Sequence, residues 1–349
     1  MYGGLYGGLY EKFFAVVVTG FLLMITACSS SSTNEYENKN TNTSTQFPIT
    51  IKHAFGETTI TEKPERIATI AWGNQDVPLA LGVAPVGVSK GNFGELTKDG
   101  LSPWTQEAFK KLGVTEPVVY DDTDGLDYEA IADSNPDIIL AAYSGLTQEE
   151  YDTLSKIAPV VAYPRVAWQT YWREQVTINA EAMGMKDEGE ALVKETEQLI
   201  ANKLKEYPQI EGKSGAFLWV NPADTSSFYV YLTSDPRASY LTDLGLSFPE
   251  NIKEMGKDET TFSLTVSAEN ADILNNVDIL VTYGDDTTLK ALQKDAVFGK
   301  IPAIKRGSVV VIDSNSALAG SATPTVLGIS ATIDEYLSLI GQAADKVNE

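Results

Sequence analysis

Aromatic and arginine residues stand at or just after several short apolar runs of this chain. The runs have the length and composition of buried strands. In open α/β sheets, ligands bind just outside the carboxyl ends of the strands. The residues with this placement are Trp72, Tyr143, Arg165, Asn221, Tyr231, Arg237 and Tyr283, with Trp104, Trp168 and Trp172 on neighbouring loops or helix ends.

These residue types suit the binding of an organic ligand. Flat amphipathic rings cover its surface, and a guanidinium offers a planar set of donors to its oxygens. The alternative, open for each aromatic residue at this point, is packing between helices. Arg66 and Arg306 are expected to pair with surface carboxylates, which leaves Arg165, Arg173 and Arg237 for a site.

Catalytic and metal-binding patterns are scarce. One histidine and one cysteine do not supply the ligand set of a zinc site, and a zinc- or manganese-binding role is disfavoured. His53 lies in an amphipathic strand, where a structural role is expected. The sequence contains no Gly-x-Ser-x-Gly elbow and no P-loop, and its acid pairs at 121–122 and 285–286 are typical of solvated loops. We therefore expect a protein that is not an enzyme, with an extracytoplasmic enzyme as the less favoured alternative.

The net charge and the length of the chain further limit the possible classes of protein. The formal net charge of −22 disfavours binding to nucleic acid or to anionic lipid surfaces. A single cysteine allows no internal disulfide, so the fold must depend on a buried core. The 349 residues are enough for two α/β lobes.

The N-terminal segment combines an apolar run, the single cysteine and a polar stretch. Residues 13–27 are mostly apolar, long enough for a signal-peptide core but short of the roughly 20 residues that span a bilayer. The polar residues 29–46 are expected to form a flexible tether. This arrangement resembles a bacterial lipoprotein, in which Cys28 becomes the lipid-modified N-terminus. An uncleaved membrane anchor is the alternative.

From residue 47 the chain alternates strand-like and helix-like segments, which predicts parallel strands covered by helices. Residues 187–206 interrupt this rhythm with a long amphipathic helix pattern. The predicted order is a signal peptide at 1–27, a disordered polar tether at 28–46, a first α/β lobe at 47–167, a connecting helical segment at 168–211 and a second α/β lobe at 212–349.

Six segments carry a family resemblance, and their order along the chain is the expected one. They are residues 53–67, 79–88, 128–140, 154–161, 235–246 and 298–307. Together they resemble the helical-hinge substrate-binding proteins of ABC importers, the ferric-siderophore and cobalamin class. Residues 72–76 and 103–104 are most similar to the iron-siderophore branch. The resemblance implies an α/β fold of two Rossmann-like lobes with mostly parallel sheets, joined by a single long helix, with the ligand cleft between the lobes.

The resemblance also implies a function. The protein would capture a ferric siderophore between its lobes and deliver it to an ABC permease and its ATPase. It would act as a monomer, lipid-anchored through Cys28 to the outer face of the cell membrane, or facing the periplasm if there are two membranes. Haem or cobalamin in the same role is the alternative. Because the sequence has only five arginines, and a triply anionic catecholate would need several cations, we expect a hydroxamate or mixed-type chelate of low net charge.

The placement of residues after strands and the family resemblance together predict particular site residues. The expected ligand contacts are Trp72, Asn74, Trp104, Tyr143, Arg165, Trp168, Tyr231, Arg237 and Tyr283. Because the chelate already coordinates its iron, no metal ligand and no cofactor are expected from the protein. Members of this class dock on the permease through one acidic residue on each lobe, and by motif these are Glu129 and Glu250. A first-turn acid favoured by the helix dipole is the alternative for Glu129.

Overall fold

The computed structural model describes residues 46–256 and 260–347. The predicted signal peptide, Cys28 and nearly all of the tether lie outside these residues. Within the described residues, two five-stranded sheets and one two-stranded hairpin account for the named strands. None of the helices in the same part of the chain is long and apolar enough to cross a membrane.

The first lobe is built on a fully parallel sheet. Its elements are β1 (Ile49–His53), β2 (Gly56–Ile60), β3 (Ile67–Thr69), α1 (Asp76–Ala80), β4 (Gly87–Ser89), α2 (Pro103–Lys111), β5 (Val119–Tyr120), α3 (Tyr128–Asp133), β6 (Ile138–Ala141), α4 (Gln148–Leu154) and β7 (Val160–Ala162). The strand order is β5-β4-β3-β6-β7, and every pairing is parallel. Strands β3, β4, β6 and β7 are buried at every residue, as expected for strands covered on both faces. Their carboxyl ends share one edge.

Two packed helices connect the lobes. They are α5 (Trp172–Ala182) and α6 (Lys186–Leu204), followed by a 3₁₀ turn at Pro208–Ile210. The long helix predicted at 187–206 is confirmed as α6. The connection also contains α5, which ends near Gly184, a residue with a φ of +69° that favours glycine. Helix α6 packs against α5 and against the last helix of the chain.

The second lobe has a mixed sheet. Its elements are β8 (Gly215–Asn221), β9 (Asp224–Tyr231), α7 (Pro236–Asp243), α8 (Glu250–Met255), β10 (Ser263–Ser267), β11 (Ile279–Gly284), α9 (Thr288–Lys294), α10 (Pro302–Arg306), β12 (Val309–Asp313), α11 (Ala317–Ser321) and α12 (Val326–Asp345), with 3₁₀ turns at Ala268–Leu274 and Phe298–Lys300. The strand order is β10-β9-β8-β11-β12. Strands β8, β11 and β12 are parallel, whereas β9 runs antiparallel to β8 and β10. The prediction of two α/β lobes with mostly parallel sheets is confirmed.

Helix α12 belongs to the packing of both lobes. It contacts α1 and α2 of the first lobe as well as α6, α11 and the second sheet. Its buried residues Ile329 and Tyr336 share one hydrophobic core with Val77 of α1, Trp172 of α5 and Phe217 of β8. The lobes are therefore joined by α12 as well as by the connecting helices.

Candidate ligand-binding site

The first lobe presents a cavity at the carboxyl edge of its sheet. The cavity has a volume of 230 Å³, and Trp72, after β3, and Trp168, after β7, both line it. The ring of Trp168 lies edge-on to that of Tyr143, with the centroids 5.4 Å apart. Trp168 is 41% exposed, so a large aromatic surface is open to a ligand here. Three of the predicted contacts thus lie together on the first lobe.

Asn74 lies buried behind this edge of the sheet and connects the loops after β3 and β6 by hydrogen bonds. Its side chain is fully buried and donates to the carbonyls of Ile70 (2.8 Å) and Tyr143 (3.0 Å). Its Oδ1 accepts from Asn179 at 3.1 Å and from the Tyr143 backbone N–H at 3.2 Å. The prediction that Asn74 contacts the ligand is corrected, because its amide is already committed to positioning the loops that carry Trp72 and Tyr143.

The second lobe contributes an arginine that is already paired. The guanidinium of Arg237 donates to both oxygens of Asp235, at 2.9 and 2.7 Å, and stacks over the ring of Tyr231 with 4.0 Å between Cζ and the centroid. Asp235 is 2% exposed and also accepts from the backbone N–H of Arg237 at 2.8 Å, as the N-cap of α7. Burial alone would lower the pKa of Arg237, but the hydrogen bonds and charge of Asp235 outweigh it and raise that pKa. The guanidinium of Arg237 is therefore held in a fixed position, and the carboxylate of Asp235 balances its positive charge.

An aromatic wall continues from this pair; we define it as Phe93, Phe217, Tyr231 and Tyr283. The ring of Phe217 contacts Tyr231 at 5.7 Å and Tyr283 at 5.1 Å between centroids. Phe93, on the loop between β4 and α2 of the first lobe, meets Tyr283 edge-on at 5.0 Å. Since Phe93 belongs to the other lobe, the aromatic wall crosses from one lobe to the other.

The two sides of the cleft influence each other electrostatically. Burial raises the pKa of Tyr143 in the first lobe, and the Asp235 carboxylate of the second lobe raises it further while Arg237 opposes. Burial likewise raises the pKa of Tyr283, against the effect of Arg237. Both phenols therefore stay protonated at neutral pH and can donate hydrogen bonds to ligand oxygens.

Trp104 takes part in a contact between the lobes. Its indole N–H donates to Asp76 at 2.9 Å. A Cβ added at Gly320 or Gly328 would lie 3.4 or 3.3 Å from its ring, so the indole packs against α11 and α12. Trp104 therefore has a role between the lobes. Its half-buried ring also lines a cavity with Trp72 and Lys90, and its predicted ligand contact stays a prediction.

Asp76 is the centre of this interlobe contact. Its buried carboxylate accepts from Thr105 of α2 at 2.8 Å and from Thr325, the N-cap of α12, as well as from Trp104. Burial raises the pKa of Asp76 to about 6, against the opposing effect of the three hydrogen bonds. A single side chain therefore links α1, α2 and the start of α12.

Arg165 and Arg173 lie in ion pairs. Arg66 and Arg306, which the sequence predicts to pair with carboxylates, donate instead to backbone carbonyls. Arg165 is 59% exposed at its side chain and forms a bidentate pair with Glu174 of α5, at 2.6 and 2.9 Å. Arg173 pairs with Asp243 at 2.9 Å. Arg165 is not part of the cluster around Arg237. It lines a separate cavity with Thr233 and Ser234 of the second lobe, and its predicted ligand contact stays a prediction.

The two acidic residues expected at the permease lie on the surface of separate lobes. Glu129 is exposed in the first turn of α3, and Glu250 is exposed at the first residue of α8. The carboxylate of Glu250 lies 3.3 Å from Lys253. Both side chains are accessible to a partner.

Comparison with known proteins identifies the family. The sequence pattern of the periplasmic binding protein family matches residues 67–316. The chain belongs to the periplasmic binding protein family. A probable siderophore-binding lipoprotein of Bacillus subtilis, YfiY, is 27% identical over 308 residues, covering 84% of this chain and 87% of the relative.

Two solved structures of binding proteins are similar to this one. Streptococcus pneumoniae PiaA in complex with ferrichrome is 53% identical, with a TM-score of 0.82 over 85% of this chain and 99% of PiaA. Staphylococcus aureus SirA complexed with staphyloferrin B has a TM-score of 0.64 over 86% of this chain and 98% of SirA, at 23% identity, and shares the fold. The predicted family and fold are confirmed.

Sequence reasoning missed some residues of this binding-protein cleft. Asp235 had a local signal, because aspartate followed by proline marks a helix start and the next residue, Arg237, lies within reach of its carboxylate. Phe93 had none, since its role depends on a contact with Tyr283 in the other lobe. Trp219 depends on strand register and is considered below.

Proposed function

We propose that this protein captures a ferric siderophore of hydroxamate type between its lobes and delivers it to an ABC permease. The observation that carries the proposal is the pairing of Arg237 with Asp235 against the ring of Tyr231. Lys90, which lines the cavity of the first lobe, is likewise 3.2 Å from Asp121. A cleft whose cations are neutralised favours a chelate of low net charge, because burying a triply anionic complex without compensation is costly.

The comparison with PiaA supports the same ligand class, because PiaA is 53% identical and its structure contains ferrichrome. The aromatic side chains of Trp72, Trp168 and Tyr231 would cover the organic shell of the chelate. The protonated phenols of Tyr143 and Tyr283 and the guanidinium of Arg237 would donate to its oxygens. In this role the protein binds its ligand without a catalytic step.

Calorimetric titration of the full-length protein tests the ligand. The panel is ferrichrome, iron-free ferrichrome, the triply anionic ferric enterobactin, haemin and cobalamin. We expect submicromolar binding of ferrichrome and weak or no binding of ferric enterobactin. A preference for ferric enterobactin would contradict the low-charge argument, and saturation by haemin or cobalamin alone would overturn the siderophore assignment.

Delivery rests on two further proposals. Glu129 and Glu250 would dock on the permease, and Cys28 would carry the lipid that keeps the protein at the membrane. Charge reversal of both glutamates should abolish uptake of the ligand by cells and leave the calorimetric affinity unchanged. Cys28→Ala should release the protein from the membrane fraction. Normal uptake by the double variant, or membrane retention of Cys28→Ala, would refute the respective assignment.

A further inference from the structure

The hairpin of β8 and β9 extends beyond the parallel part of the second sheet. Strand β8 pairs with β11 from Gly215 to Leu218, and the following residues pair with β9. Because β8 runs parallel to β11, these following residues lie at the carboxyl edge, where the cleft is. The tip of the hairpin therefore stands beside the mouth of the cleft.

Two aromatic residues face each other on this extension; we call Trp219 and Tyr229 the outer shelf. They are directly opposite in the register of β8 and β9, with ring centroids 5.5 Å apart. Trp219 is 42% exposed and Tyr229 is 39% exposed, whereas Val220 and Phe228 beside them are buried. A large aromatic pair left open to solvent is an informative feature of a surface.

The outer shelf is continuous with the aromatic wall. Side chains alternate between the two faces of a strand, so Trp219 shares a face with Phe217, and Tyr229 shares it with Tyr231. Phe217 contacts both Tyr231 and Tyr283. The outer shelf therefore adds one further row of aromatic surface to the aromatic wall, on its solvent side.

The residues of β10 and of the hairpin tip that share the face of the outer shelf are polar. Tyr229 pairs with Thr265 of β10, and the next residues on the same face of the hairpin are Asn221 and Ser227. Aromatic rings bordered by hydroxyl and amide groups suit an amphipathic organic surface.

We propose that Trp219 and Tyr229 contact the organic periphery of the bound chelate, its peptide ring or acyl arms, and thereby determine which ferric hydroxamates bind tightly. This inference rests on the proposed function. The iron-bearing centre lies against the inner residues Arg237 and Tyr231, and the outer shelf takes the part of the ligand that varies between chelates.

The test compares two chelates by calorimetry with the full-length protein: ferrichrome, with its short acetyl arms, and a ferrichrome derivative with long acyl arms. Trp219→Ala and Tyr229→Ala should each weaken binding up to about tenfold and change the ratio of the two affinities. Trp219→Phe should restore most of the loss. Arg237→Ala should weaken both chelates alike. The matched control is Leu112→Ala, which removes an apolar side chain of similar exposure, 37%, at the end of α2 that leads to the opposite edge of the first sheet.

The outcomes separate this inference from the proposed function. If the wild type binds ferrichrome but both alanine variants keep its affinity ratio, the outer shelf is refuted and the proposed function stands. If the two alanine variants keep the affinities of the wild type but cells lose uptake, Trp219 and Tyr229 contact the permease and not the chelate. That result would also overturn the inference. If the wild type binds neither chelate, both the inference and the proposed function are refuted.

Discussion

Replacing Asp76 by asparagine is expected to change how the stability of the protein depends on pH. Burial raises the pKa of Asp76 from 3.8 to about 6, so the folded protein holds this proton more tightly than the unfolded chain does. The resulting stabilisation is fully present below the unfolded pKa and is lost as the pH rises through the folded pKa. A difference of about two pH units corresponds to about 3 kcal/mol.

Asparagine has nearly the same size as aspartate and does not titrate in this range. The Asp76→Asn variant therefore does not lose this stabilisation as the pH rises. The free energy of unfolding should be measured for both proteins at pH 4 and pH 7 by urea titration with circular dichroism. From pH 4 to pH 7 the difference should shift by about 2 kcal/mol in favour of the variant, less than the full value of about 3 kcal/mol because pH 4 lies just above the unfolded pKa. Any fixed cost of placing an amide beside Trp104, Thr105 and Thr325 cancels in this comparison. Parallel pH profiles for the two proteins would refute the reasoning.

Three further predictions concern the interlobe contact and the paired arginine. Thr325→Val should lower the free energy of unfolding by about 2 kcal/mol, because it removes a donor to Asp76 and the N-cap bond to Gly328; Thr325→Ser should restore most of it in urea titrations. Gly94→Ala should lower Tm, because its φ is +79° and a Cβ would lie 2.6 Å from the backbone of Gly320; an unchanged Tm would contradict the close packing. Asp235→Asn should shift the ratio of calorimetric affinities towards ferric enterobactin over ferrichrome, because it unpairs Arg237; an unchanged ratio would show that this charge does not select the ligand.

Much of the architecture could be predicted because it depends on local patterns. Apolar runs followed by an aromatic or arginine residue identified the carboxyl edges of both sheets, where Trp72, Tyr143, Tyr231 and Tyr283 lie. Their contact with the ligand stays a prediction. The helical pattern at 187–206 likewise predicted α6. These features are encoded within windows of a few residues, which is the range that periodicity can read.

The features that local patterns missed have a common cause. Asn74 and Trp104 each lie beside a strand end or a helix start, as a ligand contact would, but both side chains turn towards elements more than 100 positions away along the chain. Likewise, Trp219 is exposed although it shares a face with the buried Phe217, because β8 continues past its pairing with β11 and leaves Trp219 opposite Tyr229. Long-range packing decides between a buried and an exposed orientation, and no local pattern in the sequence reports it.

The bond between Asp76 and Thr325 joins residues 249 positions apart, and this separation bears on how the chain folds. During synthesis α1 and α2 leave the ribosome long before α12, which covers them. Until α12 arrives, Asp76 and Val77 lack the neighbours that complete their surroundings, and contacts of such long range form late. The nascent chain should therefore remain incompletely folded until its last helix has been made. A polypeptide in that condition can still pass through a translocation pore, as the lipid anchoring proposed above would require.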